Sequence, residues 1–136
     1  MAKNIMYKPG DHLSVPVPAG TKSGDPVRIG GLNGVAITDR ANAGVSPVNA
    51  DGTVNTAFNA GGGNPNGHAS VWFEGVANLP VTTASAPAFG APVYYDDAAK
   101  KLTTTAGSLA VWGHVVDANP IDNGGGTFQV LVRINN

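Results

Sequence analysis

The chain has 136 residues, enough for one domain with a core of its own. Charged residues make up only 12%, with 8 Lys and Arg against 9 Asp and Glu, so there are too few cations for a basic nucleic-acid-binding face. The absence of Cys excludes disulfides and thiol chemistry. No apolar run reaches the roughly 20 residues of a membrane helix, and the opening residues lack the apolar stretch of a secretory signal. We therefore expect a single domain over residues 1–136, with no nucleic-acid or membrane partner.

The low charge content has two explanations that composition does not separate. The surface is either built from Asn, Thr, Ser and Gly, or it is largely covered by partners, because interface cores are depleted in charged residues.

At the start of the chain, residues 2–18 are predicted to form an extended N-terminal arm. Ile5, Met6 and Tyr7 form a short apolar run before a Lys-Pro-Gly turn. Pro16 and Pro18 cannot donate ladder hydrogen bonds, so this stretch is an arm or an edge strand rather than a central strand. Two alternatives stay open for the apolar run: it adds to a neighbouring molecule, or it completes the domain's own core.

Short strands bounded by Gly and Pro dominate the remainder and favour an all-β barrel or sandwich. The clearest is Thr127–Ile134, where Phe128, Val130, Val132 and Ile134 alternate with residues that face the other way. The further predicted strands are Pro26–Ile29, Val35–Thr38, Ser70–Val76, Val93–Tyr95, Leu102–Thr105 and Leu109–Val116. Asp96–Lys101 is predicted to be a hairpin connection.

Two segments resemble divergent copies of one β unit. Gly24–Ile29 is followed by Gly34–Asp39, and Gly90–Tyr95 is followed by Gly113–Asp117. In each, a Gly-x-Pro-Val strand precedes a Gly-led strand that ends in Asp. Between them, Arg40–Ala69 is rich in Ala, Asn and Gly, and we expect a long surface loop there with at most a short strand at Thr53–Phe58.

No residue pattern predicts catalysis, a metal or a cofactor. His12, His68 and His114 lack metal-ligand spacing, and the glycine clusters Gly61–Gly67 and Gly124–Gly126 lack the Lys-Ser/Thr and helix of a phosphate loop. The adjacent Asp96 and Asp97 fit turn capping better than acid–base work. Trp72 and Trp112 lie in strand runs, where each is either a core residue or an exposed contact for a partner.

The chain resembles the small capsid cement proteins of tailed phages, through turn glycines and strand residues spread along nearly its whole length. These residues are Ile5–Asp11, Gly24–Val27, Gly34–Ala36, Gly90–Asp96, Lys101–Thr104, Gly113–Asp117 and Val132–Ile134.

The resemblance implies a β-clip or β-tulip fold and a structural protein, not an enzyme. It further implies a homotrimer, made in the host cytoplasm, that binds the major capsid protein on the outer surface of the assembled head and stabilises it. A host- or glycan-binding module displayed on the virion is the alternative. On this basis Ile5, Met6, Tyr7, Lys8 and His12 are predicted capsid contacts, and Trp72, Trp112 and His114 are predicted subunit-interface residues.

Overall fold

The structure, a computed structural model, describes residues 12–136 and is all-β. Its one helical segment in this range is a 3₁₀ turn at Gly61–Gly63. No helix among these residues is long and apolar enough to cross a membrane. The ten strands are β1 His12–Pro16, β2 Pro26–Ile29, β3 Leu32–Ala36, β4 His68–Trp72, β5 Val76–Thr82, β6 Pro92–Asp96, β7 Lys101–Thr103, β8 Ala110–Val115, β9 Ile121–Gly124 and β10 Thr127–Ile134.

The first four strands form an antiparallel sheet in the order β1-β4-β3-β2. β1 lies at the edge of this sheet, which suits its one proline, Pro16, because proline cannot donate a ladder hydrogen bond. The inward side chains of the sheet make one hydrophobic cluster: Val17, Val27, Ala36, Ala69, Val71 and Phe73.

The other six strands form a small barrel. The order is β5-β7-β6-β8-β10-β9, and β5 also pairs with β10, so five strands close on themselves while β9 extends β10. β10 is the longest strand, and its alternation predicted from sequence is confirmed, with Val130, Val132 and Ile134 buried. The closing β5–β7 pair is parallel.

The predicted internal repeat is confirmed by strand register. The two units have the orders β1-β4-β3-β2 and β5-β10-β8-β6, so corresponding strands have corresponding neighbours. The second unit adds β7 and β9, and β7 closes the barrel. The matching pairs are Pro26–Val35 and Val27–Gly34 in the first unit, and Pro92–His114 and Val93–Gly113 in the second.

The sheet and the barrel are joined by hydrogen bonds from buried groups. Trp112 Nε1 donates to the Val27 carbonyl at 3.0 Å. The side chain of Asn33, only 3% exposed, donates to the Asn135 carbonyl at 2.7 Å. In return, the Asn136 amide accepts from the Asn33 backbone N–H and donates to the Asn33 and Phe73 carbonyls.

Three predictions of local structure are corrected. The strand predicted at Ser70–Val76 is two strands, since β4 ends at Trp72 and β5 begins at Val76 after a turn in which Gly75 has φ +106°. No strand forms at Thr53–Phe58, where Val48 and Val54 make only an isolated bridge. β5 and β9 were not predicted as separate strands.

The predicted loop and arm boundaries also change. The connection between β3 and β4 covers residues 37–67, and Ala69 is fully buried in β4. Only the distal part of this connection is a surface loop, because Ala41 and Gly61 at its base are buried. Within the predicted arm, residues 12–16 are the paired strand β1 and Val17 is in the core.

Candidate binding surfaces

Trp112 is a core residue, which corrects its prediction as a subunit-interface residue. Its side chain has no exposed surface, and its indole N–H is bonded to Val27 of the same chain. A side chain that is fully covered within its own subunit cannot contact another.

Simple alternation along β8 predicts that Trp112 and His114 face the same way, and a β-bulge explains why they do not. Val93 pairs with Gly113 while Tyr94 pairs with Val111, so β8 contains one extra residue at Trp112. A bulge interrupts the alternation of side chains along a strand. Trp112 is therefore buried, whereas His114, two residues later, is exposed.

Trp72 and His12 lie side by side on the outer face of the first sheet. They are directly opposite each other in the β1–β4 pair, and their rings stack with centroids 5.3 Å apart and planes 16° apart. Trp72 is still 43% exposed. His12 is the one predicted capsid contact that the structure describes; Ile5, Met6, Tyr7 and Lys8 lie outside the described residues.

The outer surface of the barrel carries a second group of exposed side chains, here called the barrel wall. Val76 is 55% exposed, Leu131 39% and Ile121 65%. His114 and Arg133 are cross-strand neighbours in it. The barrel wall comprises Val76, Asn78, Pro80, His114, Ile121, Leu131 and Arg133, all exposed, and Arg133 is its one formally charged residue.

The sequence patterns missed most of this wall. The sequence pattern predicts Val76 as the end of the strand Ser70–Val76, and Ile121 lies in a segment with no alternation. The signal that was present is the outward set of β10, where Leu131 stands among polar residues. His114 is the predicted interface residue that the fold places on this wall, and no described contact tests that role.

The acidic side chains are used as caps and local partners. Asp96 Oδ1 accepts from the backbone N–H groups of Ala98 and Ala99, as predicted for a turn. Asp39 accepts from the Ser23 backbone N–H and from the side chains of Asn59 and Lys22, and these bonds, Ser23 first, hold the pKa of Asp39 below its usual value. Among residues 12–136 no three His, Cys, Asp or Glu side chains gather where they could hold a metal ion.

Two crevices in the described part of the chain are open to solvent. One of about 370 Å³ lies between β2 and the barrel, with Asp25, Pro26, Lys101 and Leu102 among its lining residues. Another of about 230 Å³ lies beside Trp72.

These features define a β-barrel protein that exposes several large apolar side chains on its outer surface. The family model for phage cement proteins matches residues 60–134, more than half of the 136-residue chain, and the chain belongs to that family. No curated protein and no solved structure matches it.

Membership in this family gives the protein a structural, capsid-binding role in the phage virion. The matched residues begin just before β4 and end in the last residue of β10. They therefore contain the whole barrel and its wall, and they exclude β1, β2 and β3 together with most of the β3–β4 connection.

Proposed function

We propose that this protein cements the head: it binds the major capsid protein on the outer surface of the assembled capsid and stabilises the closed lattice. It does so as a homotrimer and has no enzymatic activity. The observation that carries the proposal is the family match over residues 60–134. The alternative of a host- or glycan-binding module receives no support from the family.

Stabilisation follows from preferential binding. A protein that binds the closed arrangement of capsid subunits better than the separated subunits shifts the equilibrium towards the closed lattice by mass action. Three linked copies bind with a high effective concentration, which raises avidity by about 10²–10⁴-fold over one copy. Weak individual contacts are then enough to hold a capsid junction.

The barrel wall is the surface that best suits the capsid. It lies within the family match and exposes Val76, Ile121 and Leu131. Formal charges at this surface are few: Arg133 belongs to it, and the Asp117 carboxylate beside it accepts a hydrogen bond from the Leu131 backbone N–H at 3.0 Å. Interface cores are depleted in charge. By comparison, the exposed valines of the long loop, including Val54 at 76%, lie outside the matched residues.

Binding to purified, expanded heads that lack this protein tests the proposal. We expect wild-type protein to co-sediment with these heads and to raise the temperature at which they open. Leu131→Asp should weaken head binding by tenfold or more, about 1.4 kcal/mol, because a carboxylate would be desolvated in the interface. The matched control is Val54→Asp, which places the same charge on a more exposed valine of the loop.

Ile121→Asp serves as a second variant, because Ile121 is 65% exposed on the outermost strand and its replacement spares the core. Sedimentation of free and head-bound protein gives the number of copies. Full binding by both wall variants would place the contact elsewhere, and failure of the wild type to bind heads would overturn the proposed function.

A further inference from the structure

Asparagine is followed directly by glycine at three positions of the chain: Asn33, Asn66 and Asn123. In such a pair the glycine nitrogen can attack the asparagine Cγ and form a cyclic succinimide, because glycine has no Cβ to hinder the approach. The ring closes where the backbone is free to leave its regular geometry and where the glycine nitrogen can give up its proton. The fold places the three pairs in different surroundings.

Two of the pairs are held in place by the fold. Asn33 lies in β3, between two paired strands, and its buried side-chain amide donates to two main-chain carbonyls. Asn66 Oδ1 accepts from the Ala43 backbone N–H at 3.1 Å, and the following Gly67 donates its N–H to the Ala41 carbonyl at 2.8 Å. Ring closure at either pair would break bonds that tie the chain to its core.

The third pair lies at an irregularity in the outermost strand. Gly124 is opposite Thr127 on β10, whereas Asp122 is opposite Phe128, so Asn123 is an extra residue in a β-bulge. A bulged residue is unpaired and the ladder is disrupted around it. All four residues of β9 are also exposed, so the backbone at Asn123 can turn without disturbing packed neighbours.

A carboxylate contacts the nitrogen that would attack. Asp122 Oδ1 accepts the Gly124 backbone N–H at 2.7 Å. A carboxylate can take up this proton, whereas the carbonyl that bonds a regular ladder N–H cannot. The Asn123 side-chain amide donates to Gln129 Oε1 at 3.0 Å in an exposed contact, which water replaces at little cost.

We propose that Asn123 is a site of spontaneous deamidation, with Asp122 as the proton acceptor. The Gly124 nitrogen bonds to the Asn123 Cγ, its proton passes through Asp122 to the amide nitrogen, and the Cγ–Nδ2 bond breaks to release ammonia. Water then opens the succinimide at one of its two carbonyls and leaves aspartate or isoaspartate.

Each such event changes the strand that carries Ile121 of the barrel wall. It adds one negative charge, and the isoaspartate product also lengthens the main chain at the bulge. The inference concerns the free protein and is independent of the proposed function.

Ageing of the intact protein tests the proposal. The folded protein is kept for weeks at mildly alkaline pH, and a parallel sample is kept in urea. Trypsin cleaves after Arg28, Arg40, Lys101 and Arg133, among other sites, so the three Asn-Gly pairs fall in different peptides. Mass spectrometry of these peptides gives the rate of conversion at each asparagine.

In the folded protein we expect Asn123 to convert several-fold faster than Asn33 and Asn66, and in urea we expect the three rates to converge. Similar rates at all three positions of the folded protein would show that the fold does not select Asn123 and would overturn the proposal. Faster conversion at Asn66, or conversion of Asn123 in urea alone, would overturn it as well.

Two pairs of variants test the chemistry. Asn123→Gln should remove the main acidic form seen by ion exchange, because the longer side chain closes its ring far more slowly, while Asn66→Gln should leave that form unchanged. Asp122→Asn keeps an oxygen that can accept the Gly124 N–H but removes the base, so it should slow conversion several-fold. Its control is Asp97→Asn, which removes the same charge from the exposed β6–β7 turn. An unchanged rate in Asp122→Asn, at a normal melting temperature, would refute the role of Asp122.

Discussion

At the scale of single residues, Asn33 shows how one amide can hold two sheets together. Its Nδ2 donates to the carbonyls of Asn135 and Val111, and its Oδ1 accepts from Arg28. The side chain is buried, so removing it leaves polar atoms without partners and without access to water. Such groups cost far more than an exposed hydrogen bond.

Asn33→Ala should therefore lower the free energy of unfolding by about 1–3 kcal/mol. Asn49→Ala is the matched control, because Asn49 also donates to two oxygens, of Thr53 and Val54, but in an exposed loop. Urea unfolding measures both. Equal losses for the two variants would show that burial of Asn33 does not determine its effect.

Asp39 predicts a pH dependence with a definite sign. Its pKa is lowered in the folded state by hydrogen bonds from Ser23, Asn59 and Lys22, from a usual value of 3.8. A lowered pKa means that the ionised carboxylate stabilises the fold above the unfolded-state pKa, and that this contribution is lost as pH falls through the folded pKa. Asp39→Asn should destabilise the protein near neutral pH, and its difference from wild type should shrink below about pH 4. A constant difference at every pH would refute this cause.

At the scale of strands, the repeat places one glycine at the same position in both units. A Cβ on Gly34 would lie 2.5 Å from Val71 Cγ1, and a Cβ on Gly113 would collide with the Arg133 carbonyl oxygen and lie 2.9 Å from Val132 Cγ1. Each glycine therefore allows its strand to lie close against the next strand of its unit. This close approach of neighbouring strands explains why each of the two Gly-led strands in the sequence pattern has a glycine at this position.

Gly34→Ala and Gly113→Ala should each destabilise the protein by about 1–3 kcal/mol, because an added methyl forces the neighbouring strand to move. Gly31→Ala is the control: a Cβ there meets nothing within 4 Å, and its φ is not in the left-handed region. Thermal unfolding gives the comparison. A neutral result at either inner glycine would mean that the strands can separate at little cost.

Two adjacent lysines, Lys100 at the end of the β6–β7 turn and Lys101 at the start of β7, should respond in opposite ways to replacement by glycine. Lys100 has φ 54°, a left-handed conformation that costs a non-glycine residue about 1–2 kcal/mol. Lys101 lies in β7, where glycine would weaken the strand. Lys100→Gly should stabilise by up to about 1 kcal/mol, and Lys101→Gly should destabilise by about 0.5–1 kcal/mol. Both remove one charge, so unfolding curves compare them directly, and a shared sign would contradict the backbone explanation.

These strands also show what the sequence can and cannot predict. The alternation of apolar and polar residues predicted β10 and which of its side chains point into the core. Turn-forming residues predicted the hairpin at Asp96–Lys101. The bulge at Trp112 could not be predicted from the sequence, because a bulge is defined by the pairing with the neighbouring strand. Without knowledge of that strand, the extra residue is counted as part of a regular alternation. The parallel β5–β7 pair that closes the barrel joins segments distant in sequence, and no local pattern indicates it. The residues that form the barrel wall could therefore not be predicted as one surface.

At the scale of the whole molecule, the β3–β4 connection is divided between core and surface. Residues 60–67 are tied to the fold: Gly61 packs on Ala41, Asn64 Nδ2 donates to Thr38 and Ser70, and Gly67 receives a bond from Val17. Residues 44–57 are mostly exposed and bond chiefly to one another. Length alone therefore misjudges which part of this connection is dispensable.

Two deletions separate these parts. Replacing residues 44–57 with a short Gly-Ser linker should change stability by less than about 1 kcal/mol, because loop-closure entropy varies slowly with length. The Asn42–Asn59 bridge remains to close the shortened loop. Replacing residues 60–67 should cost about 3 kcal/mol or more, since it removes several part-buried hydrogen bonds at about 1 kcal/mol each. The barrel wall is intact in the variant that lacks residues 44–57, so this variant should bind heads as the wild type does. If it keeps a normal melting temperature but no longer binds heads, the capsid contact lies in the loop and not on the wall.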